Sequence, residues 1–436
     1  MSNKLKFGNG TFATKKGSTL AYNDENDNYK PLPFTTTRAS GATRVNKEGL
    51  IEVVESDRPR IDYTDSAKGV LLLEPQRTNS ITYSEDFSNA AWIKDGASAT
   101  SGFLSPSGDL SAFKLVESAT TSTHQTYVVR SAVGNDYTFS VFIKKGEREF
   151  VSISLTDSVH YLTQYTFDLT NGVLTDSYDR AGVTSEFTSV ELYNGWYRIV
   201  LSSNYAFNTL VFGRIYTEET ATPPTVPANS YVGNGTSGVY IYGAQLEEGS
   251  YPTSYIPTQG ATATRLADTA SGSGNSEVFN DSEGVLFANI KGENDGTFNY
   301  ISLSDGGTTN YAGILYTDTD NQIIYRYYVG GSGVAITVNS INVTNFNKIA
   351  IKWKANDFAI WINGIEVGTA SSGSLNPSGT FTELAFARGG SNDTPFYGKT
   401  KEIGYYDTAL TDAELETLTS YSSLSELVTE LNLNTL

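Results

Sequence analysis

Tyr137-Thr-Phe-Ser-Val-Phe-Ile143, Val151-Ser-Ile-Ser-Leu155 and Tyr165-Thr-Phe-Asp-Leu169, the last running into Asn171-Gly172, decide the fold class of this 436-residue chain. In each stretch an apolar side chain recurs at every second position, the period of a strand that turns one face toward a core. Asn171-Gly172, and Asn194-Gly195 ahead of Tyr197, Ile199 and Leu201, are dipeptides that supply the positive φ of tight hairpins. Strand and turn repeat from Ile81 to about Pro257, which predicts an antiparallel sandwich of the jelly-roll type. From Gly284 to about Leu410 the alternation resumes in Val285 and Phe287, in Ile349, Ile351 and Trp353, and in Phe358, Ile360 and Ile362, closed by Asn363-Gly364. A second sandwich is expected there. The fold class is therefore all-β, with two tandem antiparallel β-sandwiches.

The flanks read differently. Residues 1–78 alternate little and are broken by Pro31, Pro33 and Pro59. They are expected to form an extended arm that buries little surface alone and folds against a partner. Residues 79–257 and 283–410 are the sandwiches, and 258–282, small, polar and aperiodic around Ser271-Gly272-Ser273-Gly274, is expected to be a linker. Residues 411–436 look helical. Thr411-x-x-Glu414 and Ser423-x-x-Glu426 have capping-box form, and Leu415, Leu418, Tyr421, Leu424, Leu427 and Leu431 fall into one apolar stripe that needs a partner surface.

Composition excludes several functions. The chain has 48 acidic against 30 basic residues, a formal charge of −18, so its mean field repels nucleic-acid phosphates and anionic bilayers. There is no cysteine, which removes disulfides, thiolate metal sites and thiol nucleophiles together. His124 and His160 are the only histidines, and their separation is not that of metal ligands. No run is long enough to span a bilayer, and Met1 to Gly10 lacks the apolar region of a signal peptide. No cofactor is expected.

Particular strings add a resemblance. Phe34-Thr-Thr-Thr-Arg38-Ala-Ser-Gly-Ala-Thr-Arg44-Val-Asn46, Arg58-Pro-Arg60-Ile-Asp62-Tyr63 and Leu71-Leu-Leu-Glu-Pro-Gln-Arg-Thr-Asn79 resemble the N-terminal part of many tailed-bacteriophage fibre and virion proteins. In those proteins, as here, they precede a Tyr83-Ser-Glu-Asp-Phe-Ser-Asn-Ala-Ala-Trp92 string and a closing Gly243-Ala-Gln-Leu-Glu247, and the segment between looks like a carbohydrate-binding-module jelly roll. Trp361-Ile-Asn363-Gly364 with Glu402-Ile-Gly-Tyr405-Tyr-Asp407-Thr-Ala-Leu410 resembles the concanavalin-A-like or laminin-G-like family. These resemblances imply a virion structural protein, a head fibre or decoration or a tail-associated fibre. They also imply display on the virion surface, other virion proteins as partners and a homotrimer. Adhesion to host-surface glycans is the implied activity, and a polysaccharide depolymerase is the alternative.

Candidate site residues follow from chemistry. Glycan sites pair an exposed aromatic ring with amide and carboxylate hydrogen-bonders. Trp353 and Trp361 lie in alternating strands and Trp196 follows a turn, so core roles are expected for them, and Trp92, in a Ser/Asn/Ala-rich loop, is the expected exposed ring. Arg38, Arg44, Arg58 and Arg60 are the candidate virion anchors, because guanidinium forks pair well with carboxylates and carbonyls at interfaces. The other reading of these arginines is that they hold the arm against its own first sandwich. A glycosidase would need two matched carboxylates. Glu147 with Glu149 and Asp318 with Asp320 are such pairs, but 48 carboxylates produce pairs by chance, and no catalytic residue is expected. Asn294-Asp295-Gly296, Asp305-Gly306-Gly307 and Asp318-Thr319-Asp320 carry calcium-type oxygen donors, and the same clusters are ordinary turn chemistry.

Overall fold

The computed structural model describes residues 34–132, 134, 136–159, 161–207, 209–223, 230–293, 297–390, 393–423 and 426–428, with four short strands within 5–31. The chain is all-β, as its alternation predicts, and divides into two compact units.

The first unit holds residues 40–53 and 76–266. Two six-stranded antiparallel sheets face each other in it. One runs in the order Ile93–Asp95, Gln125–Ser131, Leu210–Glu218, Phe150–Thr156, Tyr161–Asp168, Val173–Asp179. The other runs Ala97–Phe103, Ala112–Glu117, Gly238–Glu248, Tyr137–Lys144, Trp196–Ser203, Ser185–Glu191. Phe139, Val141 and Ile143 of one sheet meet Val151, Ile153 and Leu155 of the other in a shared core. Burying each such side chain contributes about 1.5–3 kcal/mol, so the period-two pattern is what drives the sandwich together. The predicted turns form: Gly172, Asn194 and Gly195 all have positive φ.

The second unit holds residues 1–39, 54–75 and 267–436. Its large sheet runs Ile365–Ala370, Phe358–Ile362, Asn347–Lys354, Glu283–Gly292, Gly398–Tyr406, Val70–Leu73, Arg60–Asp62, and Leu5–Phe7 also pairs with Gly398–Tyr406. The facing sheet runs Ser332–Val338, Ile323–Val329, Tyr311–Tyr316, Asn299–Ser304, Glu383–Ala385. Leu286, Ile301, Leu303, Ile351, Trp353 and Ile360 lie in the core between them.

Two expectations about the flanks need correction. The first 78 residues are not one separate arm: 40–53 belong to the first unit, while Arg60–Asp62 and Val70–Leu73 are strands of the second unit's large sheet. The run Val70-Leu-Leu-Leu73 is buried along its whole length, which is how a strand covered on both faces reads, and a four-residue run shows no alternation. Residues 258–282 are not a free linker either. Ala263–Arg265 pairs with Arg77–Asn79, and Thr269–Ser271 pairs with Thr35–Thr37. Asp281 accepts the backbone N–H groups of Gly379, Thr380 and Phe381. Strands of three residues are too short to carry a period.

At the C-terminus Thr411 and Glu414 form the predicted capping box and open a helix, Asp412–Thr419. Leu415 and Leu418 meet Val285, Phe287, Ala350 and Trp361 on the outer face of the large sheet. The partner surface of this part of the stripe is thus the chain's own sandwich, not a second copy. Glu426 N donates to Ser423 Oγ at the second capping box; Leu424 and Leu431 lie outside the described residues.

Candidate functional site

Trp92 is not an exposed platform. It is 1 % exposed, packs against Phe87 with ring centroids 4.6 Å apart and planes tilted by 37°, and donates its indole N–H to the Tyr83 carbonyl at 2.8 Å. The loop is polar in composition, but its two large apolar residues, Phe87 and Trp92, fold inward and leave the smaller ones outside. Trp196, Trp353 and Trp361 are buried as expected.

Anchoring Trp92 fixes Tyr83, and Tyr83 opens a cleft. Residues 81–86 zip against 256–260: Tyr83 bridges to Gln259, Ser84 N donates to Thr258 Oγ1 at 2.9 Å, Thr258 N donates to Ser84 Oγ at 2.8 Å, and Gly260 N donates to Thr82 O. The closing string Gly243-Ala-Gln-Leu-Glu247 holds the second of these segments. Gln245 Oε1 accepts Ile256 N at 2.7 Å, and Glu247 accepts both the backbone N–H and the hydroxyl of Thr253. The segments 81–86 and 256–260 thus form the jaws of one opening, and the 243–247 string braces the second of them.

The cleft has a volume of about 540 Å³ and is lined by Tyr83, Glu85, Asp86, Ser101, Ser111, Phe113, Pro257, Thr258 and Gln259. Gln259, Pro257 and Ser101 are exposed, Tyr83, Glu85 and Asp86 half-buried. Glu85 Oε1 accepts the hydroxyls of Tyr242 at 2.9 Å and Tyr255 at 3.0 Å. Burial, followed by the charge of Glu85, raises both phenols above their ordinary value, so they stay protonated and donate. Asp109 stands behind Ser111. Burial pushes its carboxyl up, but the hydroxyls of Ser105 and Ser111 outweigh that and hold it below the usual range. Two rings, Tyr83 and Phe113, one amide, two carboxylates and several hydroxyls thus converge on one opening, with the donor and acceptor set that a polyol needs.

The other candidates are placed elsewhere. Arg38 and Arg60 are 2 % and 0 % exposed and share one carboxylate: Arg38 Nη1 is 2.8 Å from Asp268 Oδ1, Arg60 Nη2 pairs with Asp268 Oδ2, and Arg60 Nη1 is 2.6 Å from Glu74 Oε2. Arg38 also donates to the carbonyls of Glu55 and Arg58. Burial alone would lower the Arg60 guanidinium, but Asp268 and Glu74 outweigh it and raise it. As anchors for a foreign surface, Arg38 and Arg60 are therefore corrected: both are internal cross-links of the second unit, because a buried guanidinium needs paired carboxylates at once. Arg44 pairs with Glu52 at 2.7 Å in the first unit, and Arg58 is exposed.

His124 is buried, with Nδ1 at 2.5 Å from Gly96 O and Nε2 at 3.1 Å from Tyr231 O. It is a cross-link between loops. His160 and Asn294-Asp295-Gly296 lie outside the described residues. Glu147 and Glu149 pair with Lys114 and Lys145, and Asp318 and Asp320 are exposed. Asp305 accepts Gly307 N within its own turn. Among the described residues no group of three or more His, Asp or Glu side chains is placed to hold a metal ion, and no helix is long and apolar enough to cross a membrane.

Of the stretch 83–92 the sequence points to Trp92 alone, whereas Tyr83, Glu85 and Asp86 are the residues that face the cleft. The usable signal was the pairing of Phe87 with Trp92, two large apolar residues that a polar loop must bury.

Residues 286–416 match the concanavalin A-like lectin/glucanases superfamily, in its laminin-G-like form. No curated protein matches the chain in sequence. Among solved structures the chain is similar to the CBM40 domain of the Ruminococcus gnavus IT-sialidase bound to α2,3-sialyllactose, at 16% identity and TM-score 0.30, over 34% of this chain and 94% of that one. It is similar to domain 4 of AbnA, a GH43 arabinanase of Geobacillus stearothermophilus, in complex with arabinotriose, at 16% identity and TM-score 0.30, over 40% and 83%. Domains LG4–5 of the mouse laminin α1 chain are similar at 10% identity and TM-score 0.23, over 80% and 95%. The second unit thus carries, from Leu286 to Glu416, a lectin-like domain of the concanavalin A type.

Proposed function

We propose that the chain is a non-enzymatic adhesin on the surface of a bacteriophage particle, and that it grips a host-surface glycan in the cleft of its first sandwich. The observation that carries the glycan reading is the half-buried Tyr83 ring beside the exposed Gln259 amide and the Glu85 and Asp86 carboxylates. A sugar offers an apolar C–H face to such a ring and its hydroxyls to the polar rim. The particle reading is supported by the phage-like strings from Phe34 to Asn79. In this reading the N-terminal residues attach the protein to other virion proteins, with exposed Arg58 as an arginine anchor, and the particle carries the chain as a homotrimer.

Titration of the full chain with oligosaccharides from host capsule or lipopolysaccharide tests the cleft. Tyr83→Ala is expected to weaken binding at least tenfold without lowering the melting temperature, because the anchor of Trp92 is the Tyr83 backbone carbonyl and not its ring. Equal affinity in the variant would remove the cleft from the reading. Mass spectrometry of purified particles tests the location, and light scattering should give about three times 47.2 kDa.

The second reading, a depolymerase, draws on the two carboxylates of the same cleft, since glycoside cleavage uses such a pair. Chromatography of host polysaccharide after incubation decides between the two, and reproducible shortening of the polymer would establish the enzyme.

A further inference from the structure

The five-stranded sheet of the second unit carries a guanidinium, Arg326, on its outer face. In Ile323–Val329 the side chains of Ile323, Tyr325 and Tyr327 are 0 % exposed in the core, so Ile324, Arg326 and Tyr328 take the other face. The register sets Arg326 between Gly313 and Ala335, and Tyr328 opposite Tyr311. Those small neighbours leave room for three rings around the guanidinium. Arg326 Nη1 donates to Tyr300 Oη at 2.6 Å, and its guanidinium carbon lies 5.6 Å from the Tyr328 ring centroid. Tyr311 stands 6.2 Å from Tyr300 and 5.2 Å from Tyr328, centroid to centroid. A second guanidinium, Arg388, lies 5.6 Å from the Tyr300 ring.

The two cations differ in their partners. Arg388 pairs with Asp393. Arg326 is half-buried, its Nε–H is buried without an acceptor, and no carboxylate pairs with it among the described residues. A partly desolvated guanidinium favours an anion that can take its planar fork. In a chain of formal charge −18, such a group attracts an anion only at short range, through a fitted contact.

We propose that this face is a binding site for an acidic saccharide, one whose ring bears a carboxylate. The carboxylate pairs with the Arg326 guanidinium, the C–H face of the sugar lies against half-buried Tyr328, and the phenol of Tyr300 stays engaged with Nη1. The site belongs to the second unit, shares no residue with the cleft of the first sandwich and does not depend on it.

Calorimetric titration of the full chain at low salt, with trigalacturonate and with a hyaluronan tetrasaccharide as probes, tests the proposal. At least one probe is expected to bind saturably, and to lose tenfold or more in affinity on Arg326→Gln. Methyl esterification of the probe should cost as much. Tyr83→Ala, which disables the cleft, should change nothing, so the two sites fail or succeed separately. Should Arg326→Gln melt early, Tyr328→Ala, on a half-buried ring, carries the same question and should weaken binding severalfold. Saturable binding of neither probe, unchanged affinity in both variants, or equal binding of the methyl ester would each overturn the proposal. Displacement of the probe by an equal concentration of inorganic sulfate would overturn the saccharide assignment and leave a simple anion contact.

Discussion

The two sandwiches use the residues ahead of them in opposite ways. The second unit draws Arg38 and Arg60 inside and pays for two buried guanidinium groups with Asp268 and Glu74. The first takes an apolar side chain instead: Ile51 is 7 % exposed against Ala112, Phe142, Trp196, Tyr242 and Tyr255 on the outside of its sheet, while its ion pair, Arg44 with Glu52, leaves the carboxylate 37 % exposed to solvent. Ionic contacts therefore matter most where they are buried. Removing one partner from a buried network strands the others, whereas a solvated pair is replaced by water.

The comparison breaks first at Asp268. Asp268→Asn is expected to cost about 3–5 kcal/mol in a denaturant melt of the second unit, because it leaves both Arg38 and Arg60 short of an anion. A cost under about 1 kcal/mol would show that water reaches the network. Ile51→Ala should cost roughly 2 kcal/mol, a cavity effect confined to the transition of the first unit. If that transition does not move, the apolar plug contributes nothing.

A smaller effect depends on pH and sharpens the account of charge in the second unit. Burial, with the charges of Glu74 and Asp65, outweighs Lys399 and Lys291 and raises the Glu293 carboxyl to about 7. A carboxyl raised in the folded state binds its proton more tightly there, so its stabilising contribution is full below its unfolded value of 4.5 and is lost as pH rises through about 7. Glu293→Gln should therefore stabilise the protein at pH 8, by on the order of 1 kcal/mol, and leave it unchanged at pH 4. Equal effects at both pH values would mean that Glu293 titrates normally. The smallest effect belongs to Arg44→Ala, expected below about 1 kcal/mol and shrinking further in salt. A larger, salt-independent loss would place Arg44 with the buried arginines and erase the contrast.

Local periodicity in the chain is enough to read the parts of the fold that rest on near neighbours. Alternation in Tyr137–Lys144, Phe150–Thr156 and Asn347–Lys354 placed those strands and their inward faces, and Asn194-Gly195 and Thr411-x-x-Glu414 placed a turn and a cap, because each is a contact between residues a few positions apart. Tertiary structure alone decided the rest. Arg38 meets Asp268 across 230 residues, Tyr83 meets Gln259, and Arg326 meets Tyr300 from another strand. Nothing in the spacing of these residues marks them as neighbours. Trp92 shows the same limit on a shorter scale. Its polar loop suggested exposure, but the free energy of burying an indole beside Phe87 outweighed the character of the residues around it.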